Sequence, residues 1–277
     1  MKAREKAFAF GLILCALLLA YSYAYLDAIL AVLSETVLGA VGVSASYLEA
    51  NSNLGYTCSA AILSLFYFWL WKRIKRGYPE KNATLAFRPF GGAFRMLLIG
   101  LGAGGVSLLW LNFAEAIQNS IPALQSSYDT FNSEMGAFEQ GDYIWMLLTV
   151  SVIGPLVEEL LFRGLVFHLF ERSFKSERAA IILSALLFGI WHEIFVQSVY
   201  TFMIGLILGY LYAKTRKIIW PFLVHLVNNF SGTLPPGFDG EFANMLVNLA
   251  SLICIPVLLI LLWRMEKNTK QIEKTLP

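Results

Sequence analysis

Apolar residues gather in eight blocks along the chain, roughly 7–25, 54–71, 96–117, 143–170, 179–195, 198–213, 218–233 and 243–263. Most approach the roughly 20 residues that a helix needs to cross a hydrocarbon core. Inside a bilayer only helices and closed barrels satisfy their own backbone. Barrel strands would alternate over about 10 residues, whereas these blocks are continuous. The pattern predicts an all-α, polytopic membrane helix bundle with about eight transmembrane helices.

The polar positions between the blocks supply an orientation. With a cytoplasmic N-terminus, the inner pieces are 1–6, 72–95, 171–178, 214–217 and 264–277, and they hold 20 of the 21 Lys and Arg residues. The outer pieces, 26–53, 118–142, 196–197 and 234–242, hold none. This follows the positive-inside rule and predicts cytoplasmic N- and C-termini. The exception is Arg163, inside the fourth block. MKAREK with the apolar stretch after it also fits a signal peptide cut near Ala24, but the charges downstream fit a retained helix better. Segment 26–53 is apolar but broken, and predicts an amphipathic hairpin at the outer surface. The chain divides into 1–142 (three spans, the outer segment and a basic inner loop), 143–232 (the core bearing the candidate chemistry) and 233–277 (a last span and a basic tail). Loop 72–95 reads as the hinge after the first helix pair.

Composition adds little beyond this. The chain is 57% hydrophobic and 14% charged, against about 25% charged for a soluble domain. No basic patch with interleaved aromatics suggests nucleic acid. Cys15, Cys58 and Cys254 lie in apolar stretches without CxxC spacing, and read as reduced packing residues.

Ionisable groups inside a span cost about 2.5–3.5 kcal/mol each on insertion scales, and face the protein interior or water. Block four carries Glu158, Glu159, Arg163 and His168. Block five carries His192 and Glu193, and block seven carries His225, Asn228 and Asn229. Glu159 and Arg163 are four apart, with the acid first, the favourable order for a pair on one helical face. Glu158 is turned by about 100° from Glu159 and lacks that partner. Such a carboxyl can exchange protons, as a general base must. Pro155 loosens the turn ahead of it. His225 and Asn229 share a helical face, with Asn228 nearly on it, and offer two donors to one point, which suits an oxyanion. The bland readings are charges in the headgroups for EELLFR, a packing role for His192 beside Phe188, and helix–helix hydrogen bonding for HLVNN. His168 matches no motif and reads as structural.

EELLFR fits EExxxR, FGIWH (Phe188 to His192) fits FxxxH, and HLVNN (His225 to Asn229) fits HxxxN. In this order and spacing, residues 143–232 resemble the CPBP intramembrane proteases, the CAAX prenyl protease 2 and bacteriocin-processing (Abi-like) family. The resemblance implies an eight-helix fold with a catalytic cavity open to the cytoplasmic side. It implies that Glu158 and His192 activate a water, that His225 and Asn229 hold the oxyanion, and that Glu159 with Arg163 orients the site. Phe188 and Asn228 are the candidate substrate-binding residues. Two positions depart from the family: Val196 stands where some members carry Asn, and Glu193 follows the second histidine directly.

The implied function is a metal-independent glutamic endopeptidase acting on a membrane-associated, prenylated or other, peptide, with the lipid bilayer as its other partner. No cofactor is needed. Zinc held by Glu158, His192 and His225 is the alternative. A non-catalytic membrane partner or bacteriocin immunity protein keeping the fold is another, and a proton-coupled transporter ranks last. The short loops suit a bacterial plasma membrane. Substrate identity and oligomeric state are not legible.

Overall fold

The structure is a computed structural model that describes residues 3–77 and 83–275. All regular structure among these residues is helical: α1 (Ala3–Ala40), α2 (Ala45–Ala50), α3 (Ser52–Gly77), α4 (Pro89–Ile117), α5 (Pro122–Phe138), α6 (Tyr143–Phe174), α7 (Glu177–Trp191), α8 (Phe195–Thr215), α9 (Ile219–Ser231) and α10 (Glu241–Thr275). Six of them, α1, α3, α4, α6, α8 and α10, are long and apolar enough to cross a membrane. The other two expected spans are α7, with 15 residues, and α9, with 13. At 1.5 Å per residue they reach only about 20–22 Å, short of a core of about 30 Å. The middle of loop 72–95 lies outside the described residues.

The ends of these helices are legible locally. Pro89 and Pro122 stand in the first turns of α4 and α5, where a missing N–H costs nothing. Ser176 caps α7, its side chain accepting from the Ala179 N–H at 3.2 Å. Helix α7 stops at Trp191 because Glu193 turns into the left-handed region at φ 60. That turn leaves His192 at the helix end, on the rim of the bundle interior.

The expected outer hairpin over 26–53 is corrected. Helix α1 runs unbroken to Ala40, about 57 Å at 1.5 Å per residue. Asp27 and Glu35 do not break it, because each faces protein: Asp27 lines an internal cavity, and the Glu35 carboxylate packs against Gly55 of α3.

Helix α6 departs from regular α geometry twice, in π-helical stretches Leu147–Ile153 and Leu160–Val166. In the first, the Gly154 N–H reaches the Thr149 carbonyl, five residues back. The next bond in that register would run from residue 155 to Val150, but Pro155 has no N–H. The Val150 carbonyl is served from another helix instead, accepting from Asn229 Nδ2 at 2.8 Å.

Two apolar clusters hold the bundle. Tyr23, Tyr67, Phe162, Phe167, Phe188 and Tyr212 join α1, α3, α6, α7 and α8. Met96, Ile99, Ala103, Leu208, Val224 and Leu258 join α4, α8, α9 and α10. Close approach of α4 to α10 depends on Gly102, where an added Cβ would lie 2.6 Å from the Cys254 carbonyl oxygen. Large apolar side chains of α1 and α10, Leu18, Ile29, Ile253 and Leu259 among them, are exposed on the outside of the bundle, as a lipid-facing surface requires.

The bundle has two unlike ends. At one, Arg216 of the α8–α9 turn bonds Glu171 of α6 at 2.8 and 2.9 Å and Glu177 of α7 at 3.0 Å. Lys214 meets Glu177 at 2.6 Å, the Thr84 and Leu85 N–H groups donate to the Lys214 carbonyl, and Ser173 donates to the Ala9 carbonyl of α1. This end gathers the basic pieces. At the other end, Tyr47 donates to Asp142, Asn53 to the Phe138 carbonyl and Tyr143 to the Thr233 carbonyl.

Candidate active site

The EELLFR segment lies on the inner face of α6. Glu159 and Arg163 are both fully buried and meet at 2.9 Å. Arg163 also donates to the Gly205 carbonyl of α8 at 3.1 Å and stacks over the Phe188 ring at 4.8 Å. Glu159 Oε1 accepts a second bond, from His225 Nδ1 of α9, at 3.0 Å. A carboxylate there holds the proton on Nδ1, so Nε2 faces outward. His225 Nε2 lies 3.6 Å from Glu158 Oε2. That gap is too long for a direct hydrogen bond and suits a bridging water. Glu158 Oε2 has no hydrogen-bond partner, although it is buried.

His192, at the end of α7, bonds the Phe188 carbonyl through Nδ1 at 2.9 Å. A carbonyl only accepts, so Nδ1 carries the proton and Nε2 a lone pair. The Phe188 ring packs edge-on against both imidazoles, with centroids 4.8 Å from His192 and 5.8 Å from His225. Phe188 is 1% exposed. It is therefore placed as the plate between Arg163 and the histidines, and offers a substrate little surface. Asn229 uses one amide N–H on Val150 and keeps a second. Its Oδ1 accepts from Asn228 Nδ2 at 2.8 Å, leaving Asn228 Oδ1 buried without a partner. His168 bonds the Tyr212 hydroxyl at 2.8 Å within the apolar core.

Glu158, His192, His225, Asn228 and Asn229 all line one cavity of about 1100 Å³. Its walls come from α1, α3, α4, α5, α6, α7, α8, α9 and α10, and among the described residues it is lined by the carboxyl groups of Asp27, Glu134, Glu139, Glu158 and Asp239 and by no Lys or Arg. Asp27 is the residue that sequence reasoning missed. It follows Tyr23 by one helical turn, and both line the cavity. Its Oδ1 is buried without a hydrogen-bond partner. The signal lies in the spacing, since an acid one turn beyond Tyr23 continues the inner face of α1 just past the first apolar block at 7–25.

Among the described residues no three His, Cys, Asp or Glu side chains are grouped as a metal site. Glu158, His192 and His225 share the cavity without forming such a group.

The cavity reaches the end that carries the Tyr47–Asp142 and Tyr143–Thr233 bonds, where its lining includes the exposed residues Glu139, Pro236 and Asp239. No lining residue belongs to the basic end. The cavity lining and the paired basic residues thus lie toward opposite ends of the bundle.

Residues 140–231 match the family model described as Type II CAAX prenyl endopeptidase Rce1-like. The match runs from the loop before α6 to the end of α9 and includes all three motifs. "Putative membrane peptidase YdiL" of Bacillus subtilis (strain 168) is 32% identical over 85 residues, covering 30% of this chain and 34% of that protein. "Membrane-embedded CAAX protease MroQ" of Staphylococcus aureus (strain USA300) is 32% identical over 85 residues, covering 29% of this chain and 34% of that protein. The matched part is thus about a third of the length of these curated relatives. No solved structure gives a significant match. The match contains EExxxR, FxxxH and HxxxN, and so bears out the resemblance over this segment.

Proposed function

We propose that the chain is an intramembrane peptidase in which Glu158 activates a water held against the two histidines. The observation that carries this reading is Glu158 Oε2, without a hydrogen-bond partner on the cavity wall, 3.6 Å from His225 Nε2. In the reaction Glu158 takes a proton from the water, and His192 Nε2 accepts the water's other hydrogen bond. The water oxygen adds to a peptide carbonyl carbon, and the carbonyl electron pair moves onto oxygen. The oxyanion is held by the free Asn229 amide N–H and by His225, which donates from Nε2 when both its nitrogens are protonated. Glu159 keeps its hydrogen bond from His225 Nδ1 throughout. Collapse breaks the C–N bond, and the proton on Glu158 passes to the leaving nitrogen. Water, acid and base are all accounted for, and neither a covalent enzyme intermediate nor a metal is needed.

The substrate class is a membrane-associated polypeptide. The names of the family model and the relatives make CAAX-type and other membrane peptides the first to try. The test compares new protein termini in cells expressing wild type or Glu158→Gln at matched membrane levels. Termini present only with wild type, and insensitive to a chelator, are the expected result. No difference between two folded proteins would overturn the reading, and loss of cleavage on chelation would return it to zinc.

A further inference from the structure

We infer that the cavity is entered from the non-cytoplasmic face of the membrane, so that the substrates are polypeptide segments presented on that face. The inference concerns the side and substrate class of the site proposed above, and rests on that reading only for the word substrate.

Two independent observations carry it. First, the charge asymmetry is nearly absolute, and it is structural as well as sequential. The ion pairs Arg216–Glu171, Arg216–Glu177 and Lys214–Glu177, with the Ser173–Ala9 bond, bring the basic turns α6–α7 and α8–α9 and the N-terminal end of α1 to one end of the molecule. The basic C-terminal half of α10 joins them, since Tyr210 donates to Glu266 at 3.2 Å. Lys and Arg near the ends of membrane helices remain on the cytoplasmic side. Second, every wall of the cavity comes from the opposite half of its helix or from the turns beyond it. Ser107 and Leu111 lie late in α4, Gln197 and Thr201 early in α8, and Asn244 and Asn248 early in α10. The rim turns hold Glu139 and Asp239.

The two observations share no residue, yet they separate the molecule the same way. A cytoplasmic peptide would meet the basic end, where Arg216 closes three helices together. A segment outside the cell, or one leaving the bilayer on that side, would meet the mouth between α5 and the α9–α10 turn.

The test is cysteine accessibility in intact cells, with Cys15, Cys58 and Cys254 replaced by alanine. Single cysteines are placed at the mouth (Ser133→Cys, Phe238→Cys) and at the basic end (Arg88→Cys, Lys217→Cys); all four positions are exposed. A membrane-impermeant maleimide is expected to label the mouth positions in intact cells, and the basic-end positions only after permeabilisation. The reverse pattern, or equal labelling of both ends, would overturn the inference. Labelling needs no activity, so it reads the side of the cavity even if the Glu158-dependent termini never appear. If they do appear, they are expected in segments outside the cytoplasm, and termini confined to cytoplasmic segments would count against the inference.

Discussion

Glu159 Oε1 accepts from both Arg163 and His225, so one buried carboxylate neutralises the guanidinium and fixes an imidazole at once. Removing one member of a buried pair strands the other and costs about 3–5 kcal/mol. Arg163→Ala is therefore expected to lower the amount of folded protein in the membrane as well as cleavage, whereas Glu158→Gln leaves the folded amount near wild type. Thermal unfolding of the two detergent-solubilised variants checks this, and an Arg163→Ala protein as stable as wild type would contradict it. The i,i+4 pair was legible because it lies within one helix. His225 as its third member was not, because a contact 66 residues away along the chain depends on how α9 packs against α6.

At the scale of elements, the lengths of α7 and α9 and the irregularity of α6 matter most. Pro155 announces a disturbed helix, but which carbonyl is orphaned depends on the π register, and which donor replaces the lost N–H depends on α9. Asn229→Ala is expected to lower cleavage and also stability by about 1–3 kcal/mol, the cost of an unsatisfied buried carbonyl at Val150. A drop in activity with unchanged melting would separate the oxyanion role from the structural one. Packing of α4 on α10 gives a cleaner test. Gly102→Val forces a side chain into the Cys254 backbone and is expected to destabilise by about 1–3 kcal/mol or more. Gly91→Ala, with nothing within 4 Å of the added carbon, is expected to be neutral.

For the whole molecule, the basic end acts as a clamp, and the cavity lies toward the opposite end. The Arg216–Glu171 pair is nearly buried, at 4% and 10% side-chain exposure, whereas Lys270–Glu266 is a surface pair, at 64% and 37%. Buried paired charges are costly to strand, and exposed pairs are worth about 0–1 kcal/mol. Arg216→Ala is expected to lower the melting temperature distinctly, and Lys270→Ala hardly at all. Equal effects would show that the clamp does not hold the three helices.

Each level of the molecule was legible to a different depth. Helices, their membrane character and the sidedness of the charges follow from the sequence alone, because solvation acts on each residue where it stands and period and length record it. The three motifs were also local, each within a single helix or its end. The tertiary structure decided the rest: that α1 runs through 26–40 with Asp27 turned inward, that Phe188 is a buried plate, and that His225 bonds Glu159 through Nδ1. It also placed the cavity lining away from the paired Lys214 and Arg216. These are relations between helices, set by which side chains interdigitate, and the pattern along one chain carries no measure of them.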